Sequence, residues 1–325
     1  MDKIRSVQNR DDLIRLLSAA LHHEWAVSFE YVIHAYSMPK GKFLYEDPIS
    51  KQTNDTRAQT IQIGIDEMYH ALQLGITLAR LGVDPGFGTD EVVRHPLALD
   101  NLKRDKMTEE MVTDLYQSAE IAPGAFPEVE NMVWNISYDE VRHIAQFEAM
   151  IAAVESGGTA AACFAPHPDR ESRKDLRALH ALCRLENEAM HRYLRYVMLF
   201  NAHQDLGQRL FKNSVNHMRH WDKLAGILVK LGDVVAIENA VTDAAGVERS
   251  RQPMPVAYPG DGRLPALETL PGLERQIQLG YESALDLGFS EDIQAQLRLH
   301  LALTREHIFT QDKLLENARR IQGLV

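Results

Sequence analysis

The sequence contains very little cysteine. Only Cys163 and Cys183 occur among 325 residues. Two thiols far apart in sequence exclude a disulfide framework, a rubredoxin-type iron–sulfur centre and a cysteine-based zinc site. We therefore expect a reducing, cytoplasmic location. Any bound metal ion would have to be held by carboxylates and by the 14 histidines.

A surplus of basic residues and long apolar runs are also missing. The net charge is −11, which argues against a nucleic-acid partner because phosphate contacts need clustered Lys and Arg. No apolar run reaches the ~18 residues of a membrane span, and the charged N-terminal residues do not resemble a signal peptide. We therefore expect neither nucleic acid nor a membrane as a partner.

The 13 prolines are confined to a few clusters. Proline breaks helix interiors, and the long stretches between the clusters carry apolar residues at the i, i+3, i+4, i+7 spacing of amphipathic helices. No clear alternation of period two occurs, so the sequence predicts an all-α fold. The predicted helices cover residues 11–36, 54–81, 108–121, 128–154, 172–200, 205–232, 272–287 and 291–321.

The chain divides into two halves. A stretch rich in Gly, Ala and Pro at 156–168 predicts a linker, which gives a first domain at 1–156, a linker at 157–171 and a second domain at 172–325. The connection 233–270 is too long for a simple turn, and we consider it a candidate lid over a site.

An internal repeat relates these halves, and it predicts two similar four-helix units. A shift of 162 residues places Leu17, Glu24 and Tyr31 over Leu179, Glu186 and Tyr193. A shift of 150 places residues 66–82 over 216–232, and a shift of 164 places His143 over His307.

Several acidic residues lie on the apolar faces of the predicted helices of the first half. A buried carboxylate is costly unless it is paired or binds a metal ion. Glu24 continues the apolar face of the first helix, whereas Glu30 points about 120° away. The second and fourth helices each carry a Glu-x-x-His motif, whose two side chains share one helix face. These motifs are Glu67-x-x-His70 and Glu140-x-x-His143.

The third helix offers a less certain carboxylate. If the third and fourth helices are antiparallel about a turn near residue 125, the partner of Glu140 lies about 15 residues before that turn. Glu109 fits this height and shares a face with apolar residues. Glu110 fits the height but lies on the polar side, and Glu120 is displaced by ~15 Å of helix rise. Glu109 is favoured, and the other two stay open.

The order Glu, Glu-x-x-His, Glu, Glu-x-x-His resembles that of the ferritin-like superfamily of di-iron carboxylate proteins. The chain would then consist of two tandem ferritin-like four-helix bundles. Two stretches, LHHEWAVSFEYVIHAYS and DEMYHALQLGITLARLG, are also weakly similar to the ferritin-like domain of iminophenylpyruvate dimer synthases. The resemblance implies two iron ions, with a manganese–iron pair still open, and Glu67 and Glu140 as bridging ligands. The implied ligands are Glu24, Glu67, His70, Glu109, Glu140 and His143.

The second half departs from this pattern. His217 and Thr304 replace the two bridging carboxylates, and Glu274 takes the place of Glu109. The side chains left as candidate ligands of a second metal site are Glu186, His217, His220 and His307. A decayed repeat kept for packing is the favoured alternative. Glu188-x-x-His191 lies off the apolar face and is assigned to the surface.

These patterns favour a di-iron oxidase or oxygenase that uses O₂ on a small organic substrate, by hydroxylation, N-oxygenation or desaturation. Tyr31 is the candidate catalytic residue beside the metal. The sequence carries no flavin, NAD or iron–sulfur motif, so electrons would come from an external donor or reductase. The alternatives are an iron-handling ferroxidase or peroxide scavenger, and a non-catalytic helical partner in a biosynthetic pathway. The sequence also leaves a homodimer open.

Overall fold

The computed structural model of the chain describes residues 6–86, 90–121, 123–157, 161–251 and 267–322. The described residues form an all-α fold with a few short strands, as the sequence predicts. The helices are α1 (Arg10–Ser37), α2 (Thr56–Arg80), α3 (Ala98–Ser118), α4 (Pro127–Ser156), α5 (Lys174–Leu199), α6 (Gln204–Lys230), α7 (Leu270–Leu285) and α8 (Glu291–Gln322). The strands are β1 (Ser6–Val7), β2 (Leu44–Glu46), β3 (Thr53–Asp55), β4 (Val92–Arg94), β5 (Glu120–Ile121), β6 (Val241–Thr242) and β7 (Glu248–Ser250).

The chain folds as two compact units. Unit 1 consists of the described residues of Met1–Ala165 and Ile237–Pro253, and unit 2 of those of Pro166–Ala236 and Met254–Val325. Part of the long 233–270 connection thus belongs to unit 1. Residues 252–266 of this connection lie outside the described residues, so its role as a lid stays a prediction.

The helices of unit 1 pack in two pairs. Helix α1 lies along α2 and α3 lies along α4, while α1 also contacts α3 and α2 contacts α4. Helix α1 is enclosed on every side, because each side chain from His23 to Ser37 is buried. Its polar residues in that range therefore need partners inside the unit.

Local sequence signals explain the helix ends. The Asn9 side chain accepts hydrogen bonds from the backbone N–H groups of Asp11 and Asp12 at the start of α1. Asp55 caps α2 in the same way through the N–H of Ala58. Helix α2 ends at Arg80, and Gly82 follows its C-cap residue with a φ of +74°, which suits glycine because it has no Cβ.

The third helix starts ten residues earlier than the sequence predicts, at Ala98 rather than Thr108. The intervening residues are mostly polar and conceal an apolar face that includes Leu102. The short strands were not predicted either, since two or three residues are too few to show alternation. One of them, β7, pairs antiparallel with β4 and so attaches the 237–251 segment to unit 1.

Unit 2 repeats the pairing of unit 1. Helix α5 lies along α6 and α7 lies along α8, with further contacts between α5 and α7 and between α6 and α8. None of the described helices in either unit is both long and apolar enough to span a membrane.

Candidate metal centre

The six predicted ligands lie together inside unit 1. They come from the middle of all four helices, and each is at most 3% exposed. Their ligand atoms form two groups of four that share two carboxylates, and within each group the atoms lie within 4.8 Å of one another. One group is Glu24, Glu67, His70 and Glu140, and the other is Glu67, Glu109, Glu140 and His143.

The two shared carboxylates each face both histidines. Glu67 Oε2 lies 2.8 Å from His70 Nδ1, and its Oε1 lies 2.8 Å from His143 Nδ1. Glu140 Oε1 lies 3.1 Å from His70 Nδ1, and its Oε2 lies 3.4 Å from His143 Nδ1. Each carboxylate therefore places one oxygen in each group, which is the arrangement that a bridging ligand needs.

The outer nitrogens of the two histidines face a second pair of carboxylates. His70 Nε2 lies 3.6 Å from Asp139 Oδ2 of α4, and His143 Nε2 lies 3.6 Å from Asp66 Oδ2 of α2. Each aspartate directly precedes a shared glutamate in the sequence. Neither contact is short enough for a hydrogen bond, but a carboxylate on the outer side of each ring favours Nδ1 as the nitrogen that would face a metal ion. Sequence reasoning missed these aspartates, although their position before each Glu-x-x-His is regular.

Two buried tyrosines hold the remaining glutamates crosswise. Tyr31 of α1 donates a hydrogen bond to Glu109 Oε1 of α3 at 2.5 Å, and its hydroxyl also lies 2.8 Å from Thr108 Oγ1. Tyr116 of α3 donates to Glu24 Oε1 of α1. Tyr31, the predicted catalytic residue, thus contacts a ligand and is placed to position it. Tyr116 has the same relation to Glu24 and was not singled out by the sequence.

The electrostatics of the cluster reflect buried charges at close range. Burial and the neighbouring Glu140 carboxylate raise the pKa of Glu109 to about 8. Burial and the charge of Glu109 raise the pKa of Glu67 to about 7. Burial opposes ionisation of Glu24 as well, but His70 outweighs it and lowers the pKa of Glu24 to about 2. Burial also disfavours a charged His70, yet Glu67 and the other carboxylates around it raise its pKa. The metal-free cluster therefore retains protons that bound cations would displace.

Buried polar atoms without hydrogen-bond partners indicate whether metal ions fit this cluster. Most buried polar atoms in proteins are hydrogen-bonded, yet several in this cluster make no hydrogen bond within the described structure. They are Glu24 Oε2, Glu67 Oε1, Glu109 Oε2, both carboxylate oxygens of Glu140 and both ring nitrogens of His143. Because most of these atoms belong to the two groups of ligands, the residues present fit a pair of metal ions.

A neighbouring group in unit 1 is a hydrogen-bond network rather than a metal site. Glu30, His34 and Asp105 also lie close together. His34 uses both ring nitrogens, since Nδ1 lies 2.6 Å from Asp105 Oδ1 and Nε2 lies 2.5 Å from the Val93 carbonyl oxygen. No ring nitrogen is left for a metal ion. Glu30 accepts hydrogen bonds from the Val93 N–H and from Arg104 Nε. Glu30 does point away from the ligand cluster, but it is buried.

The other carboxylates considered for the third helix lie elsewhere. Glu110 is exposed and pairs with Lys106 at 3.0 Å. Glu120 is exposed on β5. In unit 2, Glu188 pairs with Arg192, while His191, which the sequence assigned to the surface, is buried.

Unit 2 contains a second buried cluster with more nitrogen ligands. His217 lies at its centre, with Nδ1 2.6 Å from Glu186 Oε2 and Nε2 3.1 Å from Glu274 Oε1. His220 Nδ1 lies 3.1 Å from Glu186 Oε1, and His307 Nδ1 lies 3.2 Å from Glu274 Oε1. Burial disfavours the charged ring of His217, but the two carboxylates outweigh it and raise its pKa to about 10. Glu274, which the sequence compared with Glu109, is a full member of this cluster.

A largely apolar cavity of about 600 Å³ lies in unit 1 between α1, α2 and α4. Its lining includes Leu13, Gln73, Phe126 and Met132 but none of the six candidate ligands. Gln73 follows His70 by three residues on α2, about 4.5 Å of helix rise. One wall of the cavity is therefore formed by the helix that also carries Glu67 and His70.

Comparisons with family models, curated proteins and solved structures find no match to this chain.

Proposed function

We propose that unit 1 is the metal centre of a di-iron oxidase or oxygenase that acts on a small organic substrate. The observation that carries this proposal is the pair of buried ligand groups that share Glu67 and Glu140. Two imidazoles and four carboxylates form a donor set that suits iron or manganese. The resemblance to the ferritin-like superfamily belongs to the same proposal.

Iron ions bound there would supply the electrons that activate O₂ for attack on an organic molecule. The protein's own residues hold and orient the ligands. Asp66 and Asp139 face the outer nitrogens of the two imidazole rings, and Tyr31 and Tyr116 hold the two glutamates that are not shared. Burial of the whole set excludes bulk water, which strengthens each of these contacts.

The cavity beside α2 indicates the size of the proposed substrate. A volume of about 600 Å³ with a mainly apolar lining is in the range of sites for small organic ligands. The sequence contains too few cysteines for an iron–sulfur centre of its own, so the proposal includes an external electron donor wherever the reaction needs additional electrons.

Metal analysis of the purified full-length chain tests the proposal, with Glu109→Ala as the variant and Glu110→Ala as its control. These glutamates are adjacent, but only Glu109 is buried among the ligands. We expect the parent chain and Glu110→Ala to bind about two iron ions in unit 1 and to show an O₂-dependent change in absorbance. Glu109→Ala should lose the iron and the absorbance change. Equal iron contents in the two variants would refute the metal centre. Iron oxidation that no organic substrate accelerates would instead favour iron handling.

A further inference from the structure

Three buried side chains in unit 2 bring candidate ligand atoms close together. Glu274 and His307 are buried, and Glu274 Oε2 and His307 Nδ1 make no hydrogen bond within the described residues. His217 Nε2 completes the group, whose ligand atoms lie within 4.8 Å of one another. We propose that His217, Glu274 and His307 bind one divalent transition-metal ion, separate from the metal centre of unit 1.

The surroundings of His217 select the nitrogen that would bind. Its Nδ1 lies 2.6 Å from Glu186 Oε2, the distance of a strong hydrogen bond to a carboxylate. An Nδ1–H held in this way directs Nε2 towards Glu274. A metal ion at Nε2 takes the place of the proton shared with Glu274. Glu186 is therefore a positioning residue, although the sequence suggested it as a ligand.

The other two ligands are also held from behind. The Asn216 side-chain amide lies beside the outer nitrogen of His307, with Nδ2 3.1 Å from Nε2, at the repeat position of Asp66, which faces His143 in unit 1. When Nδ1 binds the ion, Nε2 carries the hydrogen, and the amide turned over would accept it through Oδ1. Tyr193 donates a hydrogen bond to Glu274 Oε1 at 2.6 Å. An amide and a tyrosine hydroxyl that fix both ligands are what an oriented metal site requires.

The spacing of the ligand atoms suits a small ion. The Glu274 carboxylate lies against both imidazoles, since its Oε1 is 3.1 Å from His217 Nε2 and 3.2 Å from His307 Nδ1, and its unbonded Oε2 is the oxygen available to the ion. Ligands about 2.05 Å from a tetrahedral zinc ion are about 3.3 Å from one another. A site with two histidines and one carboxylate also leaves a coordination position open for water or another ligand.

The donor set distinguishes this site from that of unit 1. Four carboxylates and two imidazoles surround the first site, whereas the second takes two imidazoles and one carboxylate. A higher share of nitrogen ligands favours ions late in the Irving–Williams series, such as Zn²⁺, over Fe²⁺ or Mn²⁺. One chain would then hold two kinds of metal ion.

Zinc binding to the chelator-treated full-length protein tests this inference. The variant is Glu274→Gln, which keeps the size of the side chain and an oxygen that can accept the Tyr193 hydrogen bond. Its control is Glu188→Gln, also in unit 2, at a glutamate that pairs with Arg192. We expect Glu274→Gln to lose one equivalent of Zn²⁺, or to bind it at least ~100-fold more weakly, and Glu188→Gln to match the parent chain.

Two further measurements locate the ion. The Glu109→Ala chain, which is altered in unit 1, should keep the equivalent that Glu274→Gln loses. Co²⁺ in that chain should show the visible absorption of a four-coordinate site, and His307→Ala should abolish this absorption while the circular dichroism stays helical. The same Zn²⁺ content in Glu274→Gln as in the parent chain would overturn the proposal. So would loss of this equivalent in Glu109→Ala, because the ion would then belong to unit 1.

Discussion

Each unit contains the same arrangement of buried tyrosines. In unit 1, Tyr31 and Tyr116 each donate to a glutamate on the opposite helix, Glu109 and Glu24. In unit 2, Tyr193 donates to Glu274 and Tyr281 donates to Glu186. Glu67 and Glu140, the two shared carboxylates of unit 1, have His217 and Thr304 at the corresponding positions of unit 2, but these crosswise pairs are present in both. A hydroxyl that fixes one carboxylate oxygen leaves the other oxygen for a metal ion.

The Tyr31→Phe variant tests this role. Loss of the hydroxyl frees Glu109 to rotate, and it also leaves a buried carboxylate oxygen without its donor. Loss of such a supporting contact typically weakens metal affinity about 10- to 100-fold. We expect Fe²⁺ or Mn²⁺ to bind Tyr31→Phe more weakly by that factor, as measured by titration under anaerobic conditions. Tyr69→Phe is the control, because Tyr69 is 49% exposed. Unchanged affinity in Tyr31→Phe would show that Tyr31 only fills space.

Helix α1 shows how far the sequence could predict the candidate site. Its apolar periodicity places Glu24 inward, and two Glu-x-x-His motifs on other helices point to the same interior. Periodicity cannot show that α1 is enclosed on all sides, which is why the buried partners of Glu30 and His34 were missed. These partners come from α3 and β4, and such contacts depend on tertiary packing. The start of α3 was missed for a related reason, since a polar run conceals its apolar face.

The packing of α1 against α2 depends on one glycine. A Cβ at Gly64 would lie 3.0 Å from the Ser28 carbonyl oxygen and 3.0 Å from Val32 Cγ2. Alanine normally favours a helix over glycine by about 1 kcal/mol, but here it must push α1 away from α2. We expect Gly64→Ala to lower the free energy of unfolding by about 1–3 kcal/mol in urea denaturation. Gly272→Ala is the control, since no atom lies within 4 Å of its Cβ position. Equal stability of the two variants would contradict this packing argument.

The two units pair their helices in the same way but differ in the side chains of their buried clusters. At the positions of Glu67 and Glu140 in unit 1, unit 2 has His217 and Thr304. The other buried glutamates and histidines of the cluster and the tyrosine pairs occur in both units, which fits duplication followed by a change at these two positions. The similar pairing of helices in the two units is consistent with the repeat that the sequence predicts, because helix faces preserve spacing. The metal site that we propose in unit 2 could not be predicted from the sequence, because a decayed repeat could also have a histidine in place of a glutamate. The proposal depends on the side-chain geometry.

Stability of the metal-free chain should depend on pH with a definite sign. Glu67 and Glu109 have pKa values raised to about 7 and about 8 in the folded state, from 4.5. Between pH 4.5 and about pH 8, these two carboxyl groups bind more protons in the folded chain than in the unfolded chain. Their contribution to the free energy of unfolding therefore falls as pH rises. Carboxylates whose pKa is lowered, such as Glu24 and Glu274 at about 2, titrate below this window. The raised pKa of His217 acts in the same direction above pH 6.5.

We therefore expect the chelator-treated protein to lose at least about 1.4 kcal/mol of stability between pH 6 and pH 8.5, the equivalent of one pKa unit. Urea denaturation at the two pH values measures this loss. Glu109→Gln isolates the contribution of unit 1, because it removes one raised carboxyl and the charge that raises the pKa of Glu67 while leaving His217 in place. The loss should be smaller in this variant. It should also shrink in the parent chain when Mn²⁺ is added, since the cations replace the protons that the cluster otherwise holds. Stability that rises with pH over this range would mean that the buried carboxylates are ionised without metal, and the electrostatic account of the cluster would then be wrong.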